Sequence, residues 1–192
     1  VATMLQFGKL EPVDRRDIQA WSSGFTVPQH AKRRLRPVFE PSVNVTCNAS
    51  EIRRLRYPTR LQRRLNMRGR RFVVDFDFAA YYDQFALHPA VRNFFVIRTR
   101  NATGGEEFYR LTRLPMGASF AVGVAQSVTW TLVEPIVRAA QEGKRVVADS
   151  MIDNVRIAAK TRRAFIKAVR LFVARAKEAG ISFSTDDFQS MS

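Results

Sequence analysis

The stretch from Arg71 to Pro89, RFVVDFDFAAYYDQFALHP, constrains this chain more than any other. A short apolar strand, Phe72-Val73-Val74, runs into two acids, Asp75 and Asp77. Phe78, Tyr81, Tyr82 and Phe85 then follow at helical spacing. A carboxylate at the end of a buried strand is costly unless something pairs with it. Two readings of Asp77 compete. It can cap the helix that follows, accepting from that helix's free N–H groups. Alternatively, it is half of a divalent-metal site completed elsewhere in the chain.

The remaining sequence supplies the setting. At 192 residues and 46% hydrophobic content, the chain can build the core of one domain, or of a domain with an appended lobe. Lys and Arg number 32 against 17 Asp and Glu, a net charge of +15. A polyanion is therefore the expected partner, with nucleic acid ahead of an anionic membrane surface. No stretch approaches the roughly 20 apolar residues of a membrane span, and no secretory signal opens the sequence. The expectation is an intracellular protein, nuclear or cytoplasmic, with no membrane association. A lone Cys47 excludes a disulfide framework and a cysteine zinc site. His30 and His88 are too few and too far apart for a histidine metal cluster. In that setting the sequons at Asn44, Asn48 and Asn101 read as chance.

Two basic blocks precede the central stretch. In the first, Lys32, Arg33, Arg34 and Arg36 run into the strand-like Pro37-Val38-Phe39. Such a run is ordinarily a solvated face, but beside a strand in a cationic chain it also suits phosphate contact. The second, Arg53 to Arg71, sets Leu55, Leu61 and Leu65 among arginines that include Arg60, Arg63 and Arg64. Pro58 suits the first turn of a helix reaching about Met67, and Gly69 its stop. Ahead of both blocks, Val13 to Trp21 is expected to form a short helix.

Beyond the central stretch, Phe94 to Ile97 and Phe108 to Leu111 read as a hairpin turned by Asn101 to Gly105. The turn Leu114-Pro115-Met116-Gly117 feeds an Ala/Val-rich helix from about Ser119 to Ala140. A second hairpin pairs Val146–Ala148 with Val155–Ala158 around Asp153 and Asn154. Thr161 to Ala179 is an amphipathic helix, Gly180 ends it, and Ile181-Ser182-Phe183 returns as a strand. The order predicts an α+β fold, with helices packed on one face of a mainly antiparallel sheet.

If the strands bearing Asp77 and Asp153 are neighbours, two carboxylates meet at one point. They stay ionised together only with a cation between them. Oxygen ligands of this kind suit Mg²⁺, and in a basic protein a Mg²⁺ pair points to phosphoryl transfer on nucleic acid. The alternative is that Asp153 and Asn154 simply close a tight turn.

The motifs in order resemble the palm and fingers of a reverse transcriptase. Asp77 with Tyr82 five residues on resembles the first palm motif. Leu114-Pro-Met-Gly117 with Ala121 and Gln126 resembles the second, and Met151-Ile-Asp153-Asn154 the third, usually written YxDD. Gly180-Ile-Ser-Phe-Ser184 resembles the fourth, and Arg36-Pro-Val-Phe with Asn44 the fingers segment before the palm. The likeness spans residues 30 to 188 and is similar to gypsy-type and tyrosine-recombinase retrotransposons. It implies a fingers-like part over 1–70 and a palm over 71–192 with an embedded fingers segment at about 88–115. It also implies RNA-directed DNA polymerisation with two Mg²⁺ ions, Mn²⁺ being an alternative, on an RNA template, a DNA primer and deoxynucleotides. In that reading Asp77, Asp153 and Asn154 form the catalytic group. Asp77, Asp153 and the Phe78 carbonyl would hold metal. Tyr82 would exclude a 2′-hydroxyl, while Arg36, Met116, Gly117 and Gln126 would contact the nucleotide. Lys32, Arg33, Arg34, Arg60, Arg63 and Arg64 would contact nucleic acid.

The sequence departs from the family pattern in several places. Met151 stands for the usual Tyr and Asn154 for the second Asp. Val122 replaces a common proline, and Asp187 lies where a lysine is frequent. No stretch answers to a thumb, connection or RNase H region, so a fragment or a reduced protein is expected. Two further readings stand beside the polymerase: a catalytically weak relative kept as a nucleic-acid-binding scaffold, and an unrelated basic RNA-binding protein.

Overall fold

Burial alternates along Phe72-Val73-Val74-Asp75-Phe76-Asp77, the strand on which half of the chain is laid. The computed structural model describes residues 1–30, 34–47, 57–141 and 146–184. Expectations for Lys32, Arg33, Asn48, Arg53, Leu55 and Asp187, and for the side chain of Arg34, lie outside the described residues. Two compact units result, residues 1–53 with 82–121 and residues 54–81 with 122–192. Of the second basic block, residues 57–71 fall in the unit of the central strand. Residues 82–87 and 116–121 join the first unit.

The unit of residues 54–81 and 122–192 centres on a three-stranded antiparallel sheet. Its order is β4 (Phe72–Asp77), β8 (Asn154–Ala159), β7 (Val146–Met151). Phe76, Val155 and Ser150 lie side by side across the strands and are buried. Helix α4 (Arg162–Glu178) covers this face, with Phe165 against Phe72 and Phe172 against Phe76. Its apolar residues recur at helical spacing, and Ala168, Phe172 and Ala176 are buried. Thr161 caps its start by accepting from the Ala164 N–H. Gly180, at φ +68°, ends it: its N–H donates to Lys177 O while Ile181 N–H donates to Ala176 O, a Schellman arrangement.

Helix α3 (Ala121–Gln141) sends Gln126 to Ser150 on the same sheet face. Helix α2 (Arg60–Met67) opens on a reciprocal cap between Thr59 and Gln62, so Pro58 precedes the cap and does not enter the first turn. Gly69, at φ +72°, follows its end. The expected strand at Ile181–Phe183 is reduced to a single bridge, Phe78 to Phe183, flanked by Ala79 N–H to Ser182 O and Ser184 N–H to Asp77 O.

The other unit holds a three-stranded antiparallel sheet of β1 (Leu10–Pro12), β6 (Glu106–Leu111) and β5 (Val96–Arg100). The hairpin β2 (Ser22–Gln29) with β3 (Arg34–Pro41) completes it, after a short α1 (Ala2–Gln6). Leu10, Phe39, Leu87, Phe95, Leu111 and Leu114 form its core. The expected hairpin turn is built by Asn101, whose Oδ1 accepts from Thr103 N–H and Gly105 N–H. The helix expected at Val13–Trp21 is only a 3₁₀ turn at Arg15–Asp17, because Gln19 and Ala20 N–H both donate to Asn93 O. Glu11 on β1 stands opposite Arg110 on β6 and accepts from Arg110 Nε at 2.6 Å and Arg92 Nη1 at 3.1 Å.

The architecture is mixed α+β with antiparallel sheets. No helix among the described residues is long and apolar enough to cross a membrane.

Candidate metal centre

Antiparallel pairing of β4 with β8 places Asp77 directly opposite Asn154. The next peptide continues the pairing, because Phe78 N–H donates to Asp153 O at 3.0 Å. Two acids far apart in sequence therefore meet at one end of the sheet. Asp77 and Asp153 are both half-buried and Asn154 is exposed, its Nδ2 donating to Asp153 Oδ1 at 3.1 Å. Alternation along β4 turns Val73, Asp75 and Asp77 away from the face that α4 covers. The Asp77 main chain is fixed from its other side by Ser184 N–H at 2.8 Å. Beneath it, Phe76, Phe78, Phe172 and Phe183 form an aromatic cluster with centroid separations of 5.0 to 6.1 Å.

The helix expected from Phe78 onward does not form. Ala79 N–H is taken by Ser182 O, and Ala80, at φ +43°, leaves the right-handed region. Only a 3₁₀ turn at Tyr81–Gln84 remains, and Asp77 pairs within the sheet. The helix-cap reading of Asp77 therefore loses the helix that it needs.

The turn between β7 and β8 carries backbone strain at Ile152, a β-branched residue at φ +56°. Two buried side chains from α3 hold its peptide groups. Ile152 N–H donates to Gln126 Oε1 at 2.6 Å, and Thr129 Oγ1 bonds to Ile152 O. Gln126 Nε2 donates to Ser150 Oγ at 3.1 Å, and Tyr81 Oη lies 2.8 Å from Thr129 Oγ1. Gln126 was expected at the nucleotide. Instead it is buried, with both ends of its amide committed to the hairpin that bears Asp153. Thr129 and Tyr81 were not foreseen in this role. The available signal was a pair of polar residues three apart, Gln126 and Thr129, set among Val124, Ala125, Val128 and Leu132 of the helix.

On the same face as Asp77, Asp75 accepts both hydrogen bonds of Arg156, at 2.6 and 2.8 Å, and so is occupied structurally. Asp149 stands on the other side of Arg156 in the register. Arg63 of α2 brings Nε within 3.1 Å of Asp149 Oδ2, an ion pair whose N–H is not aimed along a hydrogen bond. Burial pushes the Asp149 carboxyl above its ordinary range, although Arg63, the Ser150 N–H and Arg156 act the other way. Of the α2 arginines expected at nucleic acid, Arg63 is thus engaged internally, while Arg60 and Arg64 are exposed.

The remaining expected residues belong to the other unit. Phe39 N–H donates to Met116 O at 2.9 Å, and Asn44 bonds Gly117 O and Ser119 N–H through its amide. Arg36 Nη1 lies 3.9 Å from Met116 Sδ. The two motifs are therefore joined. Gly117, at φ +116°, has no room for a Cβ, which would sit 2.1 Å from Phe39 O. The close approach that requires glycine is thus to this chain's own backbone. Tyr82 is half-buried against that unit's core.

No group of three or more His, Cys, Asp or Glu able to hold a metal occurs among the described residues. At the β4–β8 end, Asp77, Asp153 and the Asn154 amide are the groups that could offer oxygens to a cation, and so few protein ligands would suit one that retains waters, as Mg²⁺ does. Compared with known proteins, the chain matches no family model and no characterised sequence.

Proposed function

We propose that the chain is the core of a nucleotidyltransferase acting on nucleic acid, an RNA-directed DNA polymerase of the reverse-transcriptase kind. The observation that carries this reading is the Asp77–Asp153 juxtaposition across β4 and β8, on a face that helix α4 leaves open. Bound Mg²⁺ would supply Lewis-acid charge neutralisation at the primer hydroxyl and the nucleotide phosphates. The chain's own residues position that chemistry. Asp77 and Asp153 present oxygens at the strand ends, Asn154 steadies Asp153, and Gln126 with Thr129 fixes the turn that aims it. The +15 charge favours a polyanionic substrate. Retrotransposon origin, the steric role of Tyr82 and contacts of Arg36 and Met116 to nucleotide belong to the same proposal.

Primer extension tests it. The chain, given a DNA primer on an RNA template with deoxynucleotides and Mg²⁺ or Mn²⁺, should extend the primer. Asp77→Asn and Asp153→Asn should each abolish extension while retaining the fold. Extension that survives either change removes the assigned mechanism. One observation favours a second reading, a nucleic-acid-binding scaffold with weak or no catalysis: Asn154 stands in register opposite Asp77 and brings no second charge. Absent extension by the unaltered chain, with RNA binding intact, would select that reading.

A further inference from the structure

The outer face of α4 is a one-signed strip that neither the fold nor the proposed chemistry uses. Opposite its stripe of half-buried Phe165 and buried Ala168, Phe172 and Ala176, the helix turns outward Arg163, Lys167, Arg170 and Lys177, all exposed. Arg162, Arg163, Ile166, Lys167 and Arg170 line an open depression of about 740 Å³. Among the described residues no carboxylate pairs with Arg162, Arg163, Lys167 or Arg170. The helix holds one acid, Glu178, at its far end. A merely solvated face usually mixes signs, as α3 does with its Glu134–Arg138 pair.

Here the charges work against the helix itself. Arg163 and Lys167 are like charges four residues apart, and Lys167 and Arg170 three apart. Arg162 and Arg163 sit in the first turn, at the positive end of the helix dipole, with no acid there. A bound polyanion relieves both conflicts at once. At a rise of 1.5 Å per residue, Arg163, Lys167 and Arg170 stand about 6 and about 4.5 Å apart along the axis, a spacing that a nucleic-acid backbone can follow.

We propose that this face of α4 binds the phosphodiester backbone of a nucleic-acid strand, on the sheet side opposite Asp77. The surface does not depend on the polymerase reading, since its ligand is backbone charge and its residues lie outside the metal centre.

The test uses the full chain and a fluorescently labelled 20-nucleotide single-stranded RNA, with a DNA of the same length beside it, titrated across a salt series. Arg163→Gln/Lys167→Gln/Arg170→Gln should weaken binding of both strands at least tenfold at low salt. It should also flatten the plot of log affinity against log salt by about 2, at about 0.7 per lost phosphate contact. The control Arg15→Gln/Arg16→Gln/Arg100→Gln removes equal charge elsewhere and should change affinity less than threefold. A second measurement needs no variant: RNA should protect Lys167 from acylation in the unaltered chain. The proposal is overturned if the two triple variants behave alike, if Lys167 acylates equally with and without RNA, or if a poly-glutamate peptide of matched charge outcompetes the RNA.

Discussion

The strained turn at Ile152 gives a stability measurement whose sign is diagnostic. A non-glycine residue in the left-handed region costs about 1–2 kcal/mol, and Ile152, β-branched at φ +56°, carries that cost in the turn bearing Asp153. Glycine is free of it but loses about 0.5–1 kcal/mol more chain entropy than alanine on folding. At an ordinary extended position alanine would therefore be the more stable replacement. At residue 152 the order inverts: Ile152→Gly should exceed Ile152→Ala by about 0.5–1 kcal/mol, the difference of those two costs. Both variants lose the same contacts of the isoleucine side chain beyond Cβ, so the comparison isolates the backbone. Urea denaturation followed by far-UV circular dichroism reads it directly. If Ile152→Ala equals or exceeds Ile152→Gly, the turn is not held in the left-handed region and the account of Gln126 falls with it. A companion change extends the argument. Gln126→Leu leaves the Ile152 N–H and the Ser150 hydroxyl unpaired and should cost about 2–4 kcal/mol, with the two changes coupled because they share one turn.

Other parts of the molecule make independent predictions. Gly117→Ala drives a Cβ to 2.1 Å from Phe39 O at φ +116° and should cost about 2–4 kcal/mol; a midpoint shift under 0.5 kcal/mol would remove the packing argument. Phe172→Ala, at a fully buried ring touching Phe76, Phe78 and Phe183, should cost about 3–5 kcal/mol. It should also speed hydrogen exchange at the Phe78 amide, and an unchanged rate there would uncouple the cluster from the strand end. For Glu11, burial alone would raise the carboxyl, but hydrogen bonds and charge from Arg92 and Arg110 outweigh it and hold it below its ordinary value of 4.5. The stability it contributes is therefore complete above that value and lost as pH falls through the depressed one. Urea midpoints between about pH 3 and pH 6 should show this fall in the unaltered chain and lack that component in Glu11→Gln.

How much of this was legible depended on where the controlling interaction lay. Helix α4 could be read almost to the residue, because its cap, its apolar spacing and Gly180 are all local signals. The β5–β6 hairpin was legible for the same reason, with Asn101 and Gly104 building its turn. The helix expected from Phe78 onward was not. Its spacing was correct, yet Ser182, more than a hundred residues downstream, takes the Ala79 N–H and Ala80 leaves the helical region. A tertiary bond overrode a local periodicity. The Val13–Trp21 segment failed likewise, through two N–H groups drawn to Asn93 O. At the candidate site the spacing of Asp77 and Asp153 could suggest neighbours, but only strand register could place Asp77 opposite Asn154.

Asn154 is where register and chemistry meet. A second aspartate there would stand directly across from Asp77 and next in sequence to Asp153, three carboxylates at one strand end. Such a group is stable only while cations neutralise it. Asparagine supplies an amide that donates to Asp153 Oδ1 and so orients that one carboxylate. In the proposed site, asparagine in place of that aspartate would remove one formal negative charge and lower the attraction for a second divalent ion. The hairpin supporting this arrangement is held with care: a strained isoleucine, a buried glutamine whose amide serves no surface contact, and a threonine bonded in turn to Tyr81. Backbone strain of this kind persists where surrounding structure over-determines it, and it clusters at functional sites. A turn that only joined two strands would be met more cheaply by glycine at residue 152. Under the proposed function, the strain at the β7–β8 turn would serve to hold Asp153 beside the end of β4 that bears Asp77.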